Sequence, residues 1–161
     1  EADRLMVSTD DVDCTGETAF SKASFHKNWA ELTIAYANPD NSEYPFTLEI
    51  TGQVNGLGLD TMTPVAGPFR CSGRQQPGEN TFKANLPRQS PEGKGLVMRL
   101  IRKTDKSPEK EYDLSEFINS SGYDWTARDL DDIRIGIDYA GALTSISVVD
   151  WKTGFETVII I

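Results

Sequence analysis

Residues 122–140, GYDWTARDLDDIRIGIDYA, bring several carboxylates close together. Carboxylate oxygens from one loop are the ligands that calcium prefers, but the segment lacks the Asp-x-Asp-x-Asp-Gly spacing of a recognised calcium loop. Asp129 and Asp131 stand where a helix N-terminus or an exposed turn favours negative charge. Asp132 begins a strand in which every second residue from 133 to 137 is isoleucine. The sequence therefore predicts a structural role for the acidic segment and no dependence on calcium.

Histidine, the most common catalytic base, occurs once in the chain. We expect His26 to be exposed in a polar segment, and any Ser/His or Cys/His pair would depend on it alone. The chain contains no Gly-x-Ser-x-Gly, no His-Glu-x-x-His and no phosphate-binding glycine loop. A carboxylate pair of the glycosidase type stays open, because 25 acidic residues make such pairs easy to propose. The sequence predicts that the protein is not an enzyme and uses no cofactor.

The three tryptophans, Trp29, Trp125 and Trp151, offer a different chemistry. Two indoles that face solvent together would form a stacking platform for sugars. A carbohydrate-binding β-sandwich module of a surface glycan-utilisation system is therefore the alternative function. Each tryptophan also adjoins a predicted strand or turn, where a core tryptophan would lie, and we favour that interpretation. The exposure of the indoles distinguishes the two functions.

Charge and cysteine content exclude further classes of protein. The net charge is −9, and a nucleic-acid partner is not expected because phosphate binding needs clustered Lys and Arg. No run of eighteen apolar residues is present to span a membrane. Cys14 and Cys71 have neither the spacing of a zinc site nor that of a Cys-x-x-Cys motif. They are either isolated thiols or, in an exported protein, a candidate disulfide.

Short strand patterns dominate from about residue 30 onward, each bounded by Gly, Pro, Asn or Asp. The apolar alternations lie in AELTIAYA, YPFTLEI, NTFKANL, GLVMRLI, DIRIGIDY, LTSISVVDW and FETVIII. About seven short strands without long helices predict an all-β fold, an antiparallel β-sandwich. The segments SGRQQPGEN and KTDKSPEKE are charged, contain proline and are predicted to be exposed loops.

Two short helical turns interrupt this pattern. Asp113 and Glu116 form a capping box that predicts a short helix ending near Gly122. Thr126 and Asp129 repeat the spacing and predict a second helical turn before the strand. Residues 1–28 are polar and acidic, and they are predicted to be a linker or an edge strand. The sandwich domain is then residues 29–161.

The order of several motifs resembles that of a known family. The motifs are a strand that ends in LPRQ, the strand GLVMRLI, the helical turn YDLSEFI, the segment SGYDWTARDLDDIRIGIDYA and the closing strand SISVVDW. Between about Leu86 and Trp151 this order resembles the C-terminal domain of the fimbrillin-associated anchor proteins of Bacteroidales, which are outer-membrane lipoproteins of the minor-fimbria anchor type. The signature residues are Pro87, Arg88, Gln89, Tyr123, Asp124, Trp125 and Asp132.

This resemblance implies a transthyretin-like sandwich on the cell surface that holds or terminates a fimbrial polymer built by strand donation. The partners would be fimbrial subunits or other surface proteins, and the role would be structural or adhesive. Such proteins have a first domain behind a lipid anchor, so residues 1–28 would trail from a missing upstream domain. Contact with the membrane would come only through that upstream anchor. Within the signature, we expect Arg88 and Gln89 to bind loop carbonyls, and the alternative is that they bind a partner.

The chain ends on consecutive apolar residues, which form a candidate assembly strand of Thr157, Val158, Ile159, Ile160 and Ile161. We predict a strand of the domain's own sheet, with Val158 and Ile160 toward the core and the remaining isoleucines shielded by a neighbouring element or partner. The competing prediction is that this segment leaves to complete another subunit. If the first prediction holds, removal of residues 158–161 should unfold the protein.

Overall fold

The computed structural model describes residues 3–38, 43–76, 79–138 and 142–160. These residues form twelve strands and one helix. The elements are β1 (Met6–Val7), β2 (His26–Lys27), β3 (Trp29–Tyr36), β4 (Phe46–Gly58), β5 (Thr63–Ser72), β6 (Arg74–Gln75), β7 (Thr81–Pro87), β8 (Val97–Arg102), β9 (Pro108–Asp113), α1 (Leu114–Ser120), β10 (Asp132–Ile137), β11 (Leu143–Val149) and β12 (Glu156–Ile160). The protein is mostly β, as the sequence predicts.

The number of strands exceeds the predicted seven because five strands have weak sequence signals. Strands β1, β2 and β6 are two residues long. Strand β5 contains Pro64 and Pro68, which interrupt an alternation. Strand β9 lies in the charged segment KTDKSPEKE, which was predicted to be a loop, and β6 lies in the predicted loop SGRQQPGEN.

The strands form three open sheets in the described part of the chain. The six-stranded sheet has the order β12-β11-β10-β3-β7-β6, the four-stranded sheet has the order β5-β4-β8-β9, and β1 pairs with β2. All pairs are antiparallel except β3 and β10, which are parallel, with Leu32 opposite Ile133. The prediction of a purely antiparallel fold is therefore wrong at this central pair. The connection from β3 to β10 runs through the other strands, so it needs no crossover helix.

The six-stranded and four-stranded sheets share one hydrophobic core. Alternate residues of each strand enter it, among them Leu32 and Ile34 of β3, Leu48 and Ile50 of β4, and Ile135 of β10. These are the inward positions that the sequence predicts from the apolar alternation. The core therefore lies between the two sheets and fixes the register of their central strands.

Helix α1 confirms the predicted helix and its N-cap at Asp113. The Asp113 side chain accepts a hydrogen bond from the Glu116 N–H at 3.1 Å, and Gly122 follows the helix with a φ of +77°. The second predicted helical turn is wrong, because Thr126 is not its cap. The Asp124 carboxylate accepts bonds from the Thr126 N–H at 2.8 Å and hydroxyl at 2.6 Å, and forms a turn instead.

Candidate interaction surfaces

The signature residues gather where β7 ends, around the buried guanidinium of Arg88. This side chain is 8% exposed, and its Nε donates to Asn28 Oδ1 at 2.6 Å. Its Nη1 donates to the carbonyl oxygens of Trp125 at 2.6 Å and Ala127 at 2.8 Å. Its Nη2 donates to the Arg128 carbonyl at 3.4 Å. Burial lowers the pKa of Arg88 from its ordinary value, and hydrogen bonds to these four partners offset the cost of burying the charge. Arg88 therefore fastens the loop before β10 to the end of β7, as the sequence predicts.

The other signature residues support the same loop. The Tyr123 hydroxyl donates to the Asp131 carbonyl at 2.6 Å, and Trp125 Nε1 donates to Asn119 Oδ1 at 3.1 Å. The Tyr123 and Trp125 rings pack edge to face with centroids 4.6 Å apart. Burial raises the pKa of the Tyr123 hydroxyl, so it stays a neutral donor. These groups are satisfied within the protein.

Two further signature residues contact their own neighbours. Gln89 Nε2 donates to the Pro87 carbonyl at 2.8 Å, and Pro87 lies opposite Trp29 in the pairing of β3 with β7. Asp124 is exposed and forms the turn described above. Only Asp124 among the seven signature residues presents its side chain largely to solvent. The signature therefore marks a structural unit rather than a binding surface.

The acidic segment joins the N-terminal strands to β10. Asp132 Oδ1 accepts from Lys27 Nζ and from the Glu31 N–H, both at 2.7 Å. Asp129 accepts from the Lys27 N–H at 2.8 Å and from Lys152 Nζ at 3.1 Å, and its Oδ1 lies 3.3 Å from His26 Nδ1. Burial acts to raise the pKa of Asp129, but the bonds from Lys27 and Lys152 and the adjacent His26 imidazole outweigh it and lower the pKa to about 2. Both carboxylates are engaged in structural bonds.

Sequence reasoning missed the part that residues 26–28 take in this unit. Lys27 is 3% exposed, and the Asn28 amide binds Arg88, although both lie in the segment interpreted as a linker. His26 is also more enclosed than predicted, with 19% of its side chain exposed. A single lysine in a polar segment carries no pattern that signals burial. Only the short alternation of Leu5 and Val7 indicated that a strand lies nearby.

A cation–aromatic cluster consists of Arg4, Lys27, Trp29, Trp151 and Lys152. Lys27 Nζ lies 4.3 Å from the Trp29 ring centroid and 5.9 Å from that of Trp151. Arg4 Cζ lies 5.0 Å from the Trp29 centroid, and Lys152 Nζ lies 5.2 Å from the Trp151 centroid. Each distance is within the range of a cation–π interaction. The cluster therefore runs from the N-terminal segment to the turn before β12.

The same cluster decides how the tryptophans are used. Trp125 is 3% exposed and lies in the core, as predicted, whereas Trp29 and Trp151 are only partly buried. Lys27 lies over both of these rings, so the protein's own cation takes up aromatic surface that a sugar would need. The three tryptophans therefore do not provide two freely exposed indoles, which is the arrangement that would favour sugar stacking.

An open cleft of about 320 Å³ lies beside β1. It is lined by Val7, Thr9, His26, Met62, Arg88, Thr126, Ala127 and Arg128. His26 Nε2 is buried and has no hydrogen-bond partner among the described residues. The Arg88 guanidinium faces carbonyls of the loop, and no carboxylate lines the cleft. Within the described residues, the His26 imidazole therefore has no hydrogen bond to a threonine hydroxyl of the cleft.

The two cysteines do not form a disulfide. Cys14 is exposed in the segment between β1 and β2, whereas Cys71 is buried in β5. The predicted bridge is therefore absent from the structure, because one thiol belongs to the core and the other to an outer segment. Cys71 acts as a small apolar core residue.

The outer strand of the six-stranded sheet is β12, which pairs antiparallel with β11. This pairing places the predicted terminal strand in the domain's own sheet. Val158 lies opposite Ser147, whereas Ile146 and Val148 enter or border the core, and Val158 is 56% exposed. The prediction that Val158 faces the core is wrong, because the register pairs Val158 with Ser147, whose side chain lies on the opposite face of β11 from Ile146. The side-chain predictions for Ile159, Ile160 and Ile161 lie outside the described residues.

The hydrogen-bonding pattern between β11 and β12 shows which backbone groups of β12 point away from β11. The Asp150 N–H donates to the Phe155 carbonyl at 2.9 Å, which makes this a hydrogen-bonded pair. Bonded and non-bonded pairs alternate along an antiparallel ladder. Thr157 therefore directs its N–H and carbonyl toward β11, whereas Glu156, Val158 and Ile160 direct theirs away from it. These outward groups are the ones that an added strand would bind.

The other outer strands of the two larger sheets are blocked. Strand β9 begins at Pro108 and carries Glu109 and Glu111, which pair with Arg102 and Arg99 of β8. Strand β5 contains two prolines, which cannot donate to a ladder, and β6 is two residues long. Charge, proline and shortness are the usual protections of an edge strand. Strand β12, with the sequence ETVII, has no proline, and its one charged residue is Glu156.

Metal binding and membrane spanning find no support among the described residues. No group of three or more His, Cys, Asp or Glu side chains in the described ranges is arranged to hold a metal ion. No helix in that part of the chain is long and apolar enough to cross a membrane. Independence of calcium stays a prediction.

No known protein-family profile and no curated protein matches this chain. Solved structures do match. A candidate polysaccharide-binding protein from Bacteroides thetaiotaomicron has a TM-score of 0.57 and 13% identity, over 85% of this chain and 52% of its own length. A candidate adhesin from the same species has a TM-score of 0.54 and 15% identity, over 86% and 54%. The fimbrial anchor protein Mfa2 from Porphyromonas gingivalis has a TM-score of 0.51 and 14% identity, over 83% and 50%.

The chain thus spans about half the length of these proteins. At identities of 13–15% the likeness is one of fold, and it extends over the greater part of this chain. None of the three is described as an enzyme. The structural neighbours of this chain therefore include a candidate adhesin and the fimbrial anchor protein Mfa2, in agreement with the resemblance of its sequence.

Proposed function

We propose that this chain is a non-enzymatic module of the bacterial cell surface, a fimbrial anchor or assembly component, and that it acts by pairing a strand of a partner with β12. The observation that carries the proposal is the contrast between the outer strands. Strand β12 directs three backbone positions outward without proline, and the three other outer strands of the larger sheets are protected. Backbone pairing at such an edge is a recurrent mode of protein recognition.

The fold and the charge support the same role. The two sheets that share one core fit a transthyretin-like β-sandwich. A net charge of −9 suits a protein exported to the surface, with fimbrial subunits or other surface proteins as partners. The N-terminal segment, whose residues 26–28 belong to this domain, would connect it to an upstream domain that carries the lipid anchor, and this chain would not contact the membrane itself.

Site-specific photo-cross-linking tests the proposal. A benzophenone amino acid placed at Val158 should cross-link to a strand of another surface protein in the bacterium that produces the chain. The same group at Lys110 of β9 is the matched control and should not, because that edge is charged. Mass spectrometry of the cross-linked peptides identifies the partner and the pairing register. Equal cross-linking from both strands, or none from Val158, would contradict the proposal.

Proline substitution separates the outward from the inward face of β12. Val158→Pro removes an outward N–H and should abolish cross-linking from a probe at Thr157 while the protein keeps its cooperative melt. Thr157→Pro removes an inward N–H and should loosen β12 from β11 as well. If Val158→Pro leaves partner binding unchanged, the backbone of β12 is not the contact.

Carbohydrate binding, the alternative function, can be tested in the same material. Trp29→Ala and Trp151→Ala would weaken binding to surface glycans if the indoles contacted sugars. We expect no saturable binding to neutral or acidic glycans by the unmodified protein, because Lys27 lies over both rings. Saturable binding that either substitution abolishes would favour the alternative.

A further inference from the structure

The turn before β12 is attached to the body of the protein by polar contacts rather than by core packing. The Trp151 N–H donates to Asp131 Oδ1 at 3.4 Å, and Lys152 Nζ donates to Asp129 Oδ2 at 3.1 Å. Both tryptophan and lysine are partly or largely exposed. Since β12 has one strand neighbour in the described sheet, these contacts add to the Asp150 hydrogen bonds of the turn in holding its leading end.

The N-terminal segment is attached through the other end of the same cluster. Arg4 Nη2 donates to Glu31 Oε2 at 3.1 Å while its guanidinium lies over the Trp29 ring. The Asn28 N–H donates to the Leu5 carbonyl at 3.1 Å. Strand β1 pairs with β2 alone, through Met6 opposite Lys27 and Val7 opposite His26. Docking of residues 4–7 therefore depends on β2, Trp29 and Glu31.

Lys27 connects these two ends. Its Nζ lies over Trp29 and near Trp151, and it donates to the Leu130 carbonyl at 2.9 Å and to Asp132 Oδ1. Its N–H binds Asp129, the carboxylate that also accepts from Lys152. Arg4 and Lys152 contact different tryptophans, so an influence of one on the other passes through Lys27 and Asp129.

We propose that Lys27 and Asp129 are positioning residues for β12, and that docking of the N-terminal segment on Trp29 sets how firmly the outer strand is held. The proposal rests on the proposed function for its purpose, since β12 is the strand offered to a partner. Release of residues 4–7 frees one face of Trp29, loosens Lys27 and weakens the hold of Asp129 on the turn before β12. A force or a ligand that displaces the N-terminal segment thereby changes the availability of the pairing edge.

Amide hydrogen exchange in the isolated protein tests this coupling. Arg4→Ala should accelerate exchange in peptides that cover residues 143–160 by about three- to tenfold, the size expected for one cation–π contact in a local opening. Peptides of β4 and β8 should keep their protection, which separates local release from general destabilisation. Arg70→Ala removes another exposed arginine, paired with Glu49 on the four-stranded sheet, and should leave residues 143–160 unchanged.

A double-mutant cycle supplies the second measurement. Arg4→Ala and Lys152→Ala should each accelerate exchange of β12, and together by less than the product of the two factors, because they weaken one network. The proposal would be overturned if the double variant showed the full product of the two single accelerations. Unchanged exchange of β12 in Arg4→Ala would also overturn it. Lys27→Met should accelerate amide exchange in β12 more than either Arg4→Ala or Lys152→Ala does. Should this variant fail to fold, the cycle between the exposed residues decides alone.

Exchange is measured without a partner, so this experiment and the cross-linking test fail independently. If cross-linking is lost but the coupling is observed, the N-terminal segment still controls β12, and β12 is not the strand that pairs with a partner. Intact cross-linking without coupling would leave the proposed function and remove its control by the N-terminal segment.

Discussion

The loop held by Arg88 and the outer strand β12 satisfy their polar groups in opposite ways. Around Arg88, guanidinium, hydroxyl and indole donors bind carbonyl and amide oxygens of the same domain. Along β12, the outward positions are inferred to offer backbone groups to a partner. The first region bears the sequence signature and the second bears none, because recognition through the backbone requires no particular residue. The comparison teaches that the resemblance marks the fold, whereas the proposed interface lies outside the family signature.

The largest effect is expected at the first region. Arg88→Met should lower the free energy of unfolding by about 3–5 kcal/mol, because the carbonyls of Trp125 and Ala127 and the Asn28 amide lose a buried partner. Urea unfolding measures the change. Arg134→Met, an exposed arginine of β10, is the matched control and should stay within about 0.5 kcal/mol of the unmodified protein. If both variants lost the same free energy of unfolding, Arg88 would not be the residue that fastens the loop before β10.

A second pair of variants compares β12 with its neighbour. Ile146→Ala should cost about 2–4 kcal/mol because Ile146 is 2% exposed, whereas Val158→Ala should cost less than about 0.5 kcal/mol. The same unfolding titration gives both values. A loss at Val158 that matched the loss at Ile146 would mean that β12 buries this side chain in solution, against the register with β11.

The third prediction concerns the acid sensitivity of the contact between the two regions. The pKa of Asp129 falls from 3.8 to about 2 on folding, so its stabilisation is complete above pH 4 and is lost as the pH falls through 2. Asp129→Asn should lower the free energy of unfolding by about 1–2 kcal/mol at pH 7 and by progressively less between pH 4 and pH 2. Asp60→Asn, in the exposed turn after β4, is the control. If the free energies of unfolding of the unmodified protein and Asp129→Asn differed by the same amount down to pH 2, the lowered pKa of Asp129 would be contradicted.

The smallest expected effect is that of calcium. The carboxylates of Asp129 and Asp132 are occupied by Lys27, Lys152 and backbone N–H groups, so millimolar calcium should leave the melting temperature unchanged. Thermal melts with calcium and with a chelator test this. A rise of many degrees that the chelator reverses would show that the acidic segment binds metal in preference to its lysines.

Local chemistry predicts a large part of this fold. The capping box of Asp113 and Glu116 locates α1, and alternation places residues such as Leu32 and Ile34 in the core, because both signals arise within a few residues. Arg88 was also interpreted correctly, since a guanidinium at a strand end has few other acceptors than loop carbonyls.

Features that depend on residues far apart in the sequence could not be predicted from local patterns. The parallel pairing of β3 with β10 leaves no local pattern, and the face of Val158 depends on its register with β11. Strand β9 was missed because its charges read as a loop, although they pair with arginines on β8. The burial of Lys27 requires Trp29 and Asp132, which no sequence spacing brings together.

The parallel pair of β3 and β10 has a consequence for the time course of folding. Glu31 and Asp132, which bond at the start of this pair, are 101 positions apart in the chain. Closing so long a loop before any pairing is formed costs entropy, and folds dominated by distant contacts form slowly, in milliseconds to seconds. A ribosome must release most of the chain before the middle of the larger sheet can close. The newly made polypeptide should therefore stay open long enough to be bound by a chaperone, and refolding from denaturant should be slow even without a proline-limited phase.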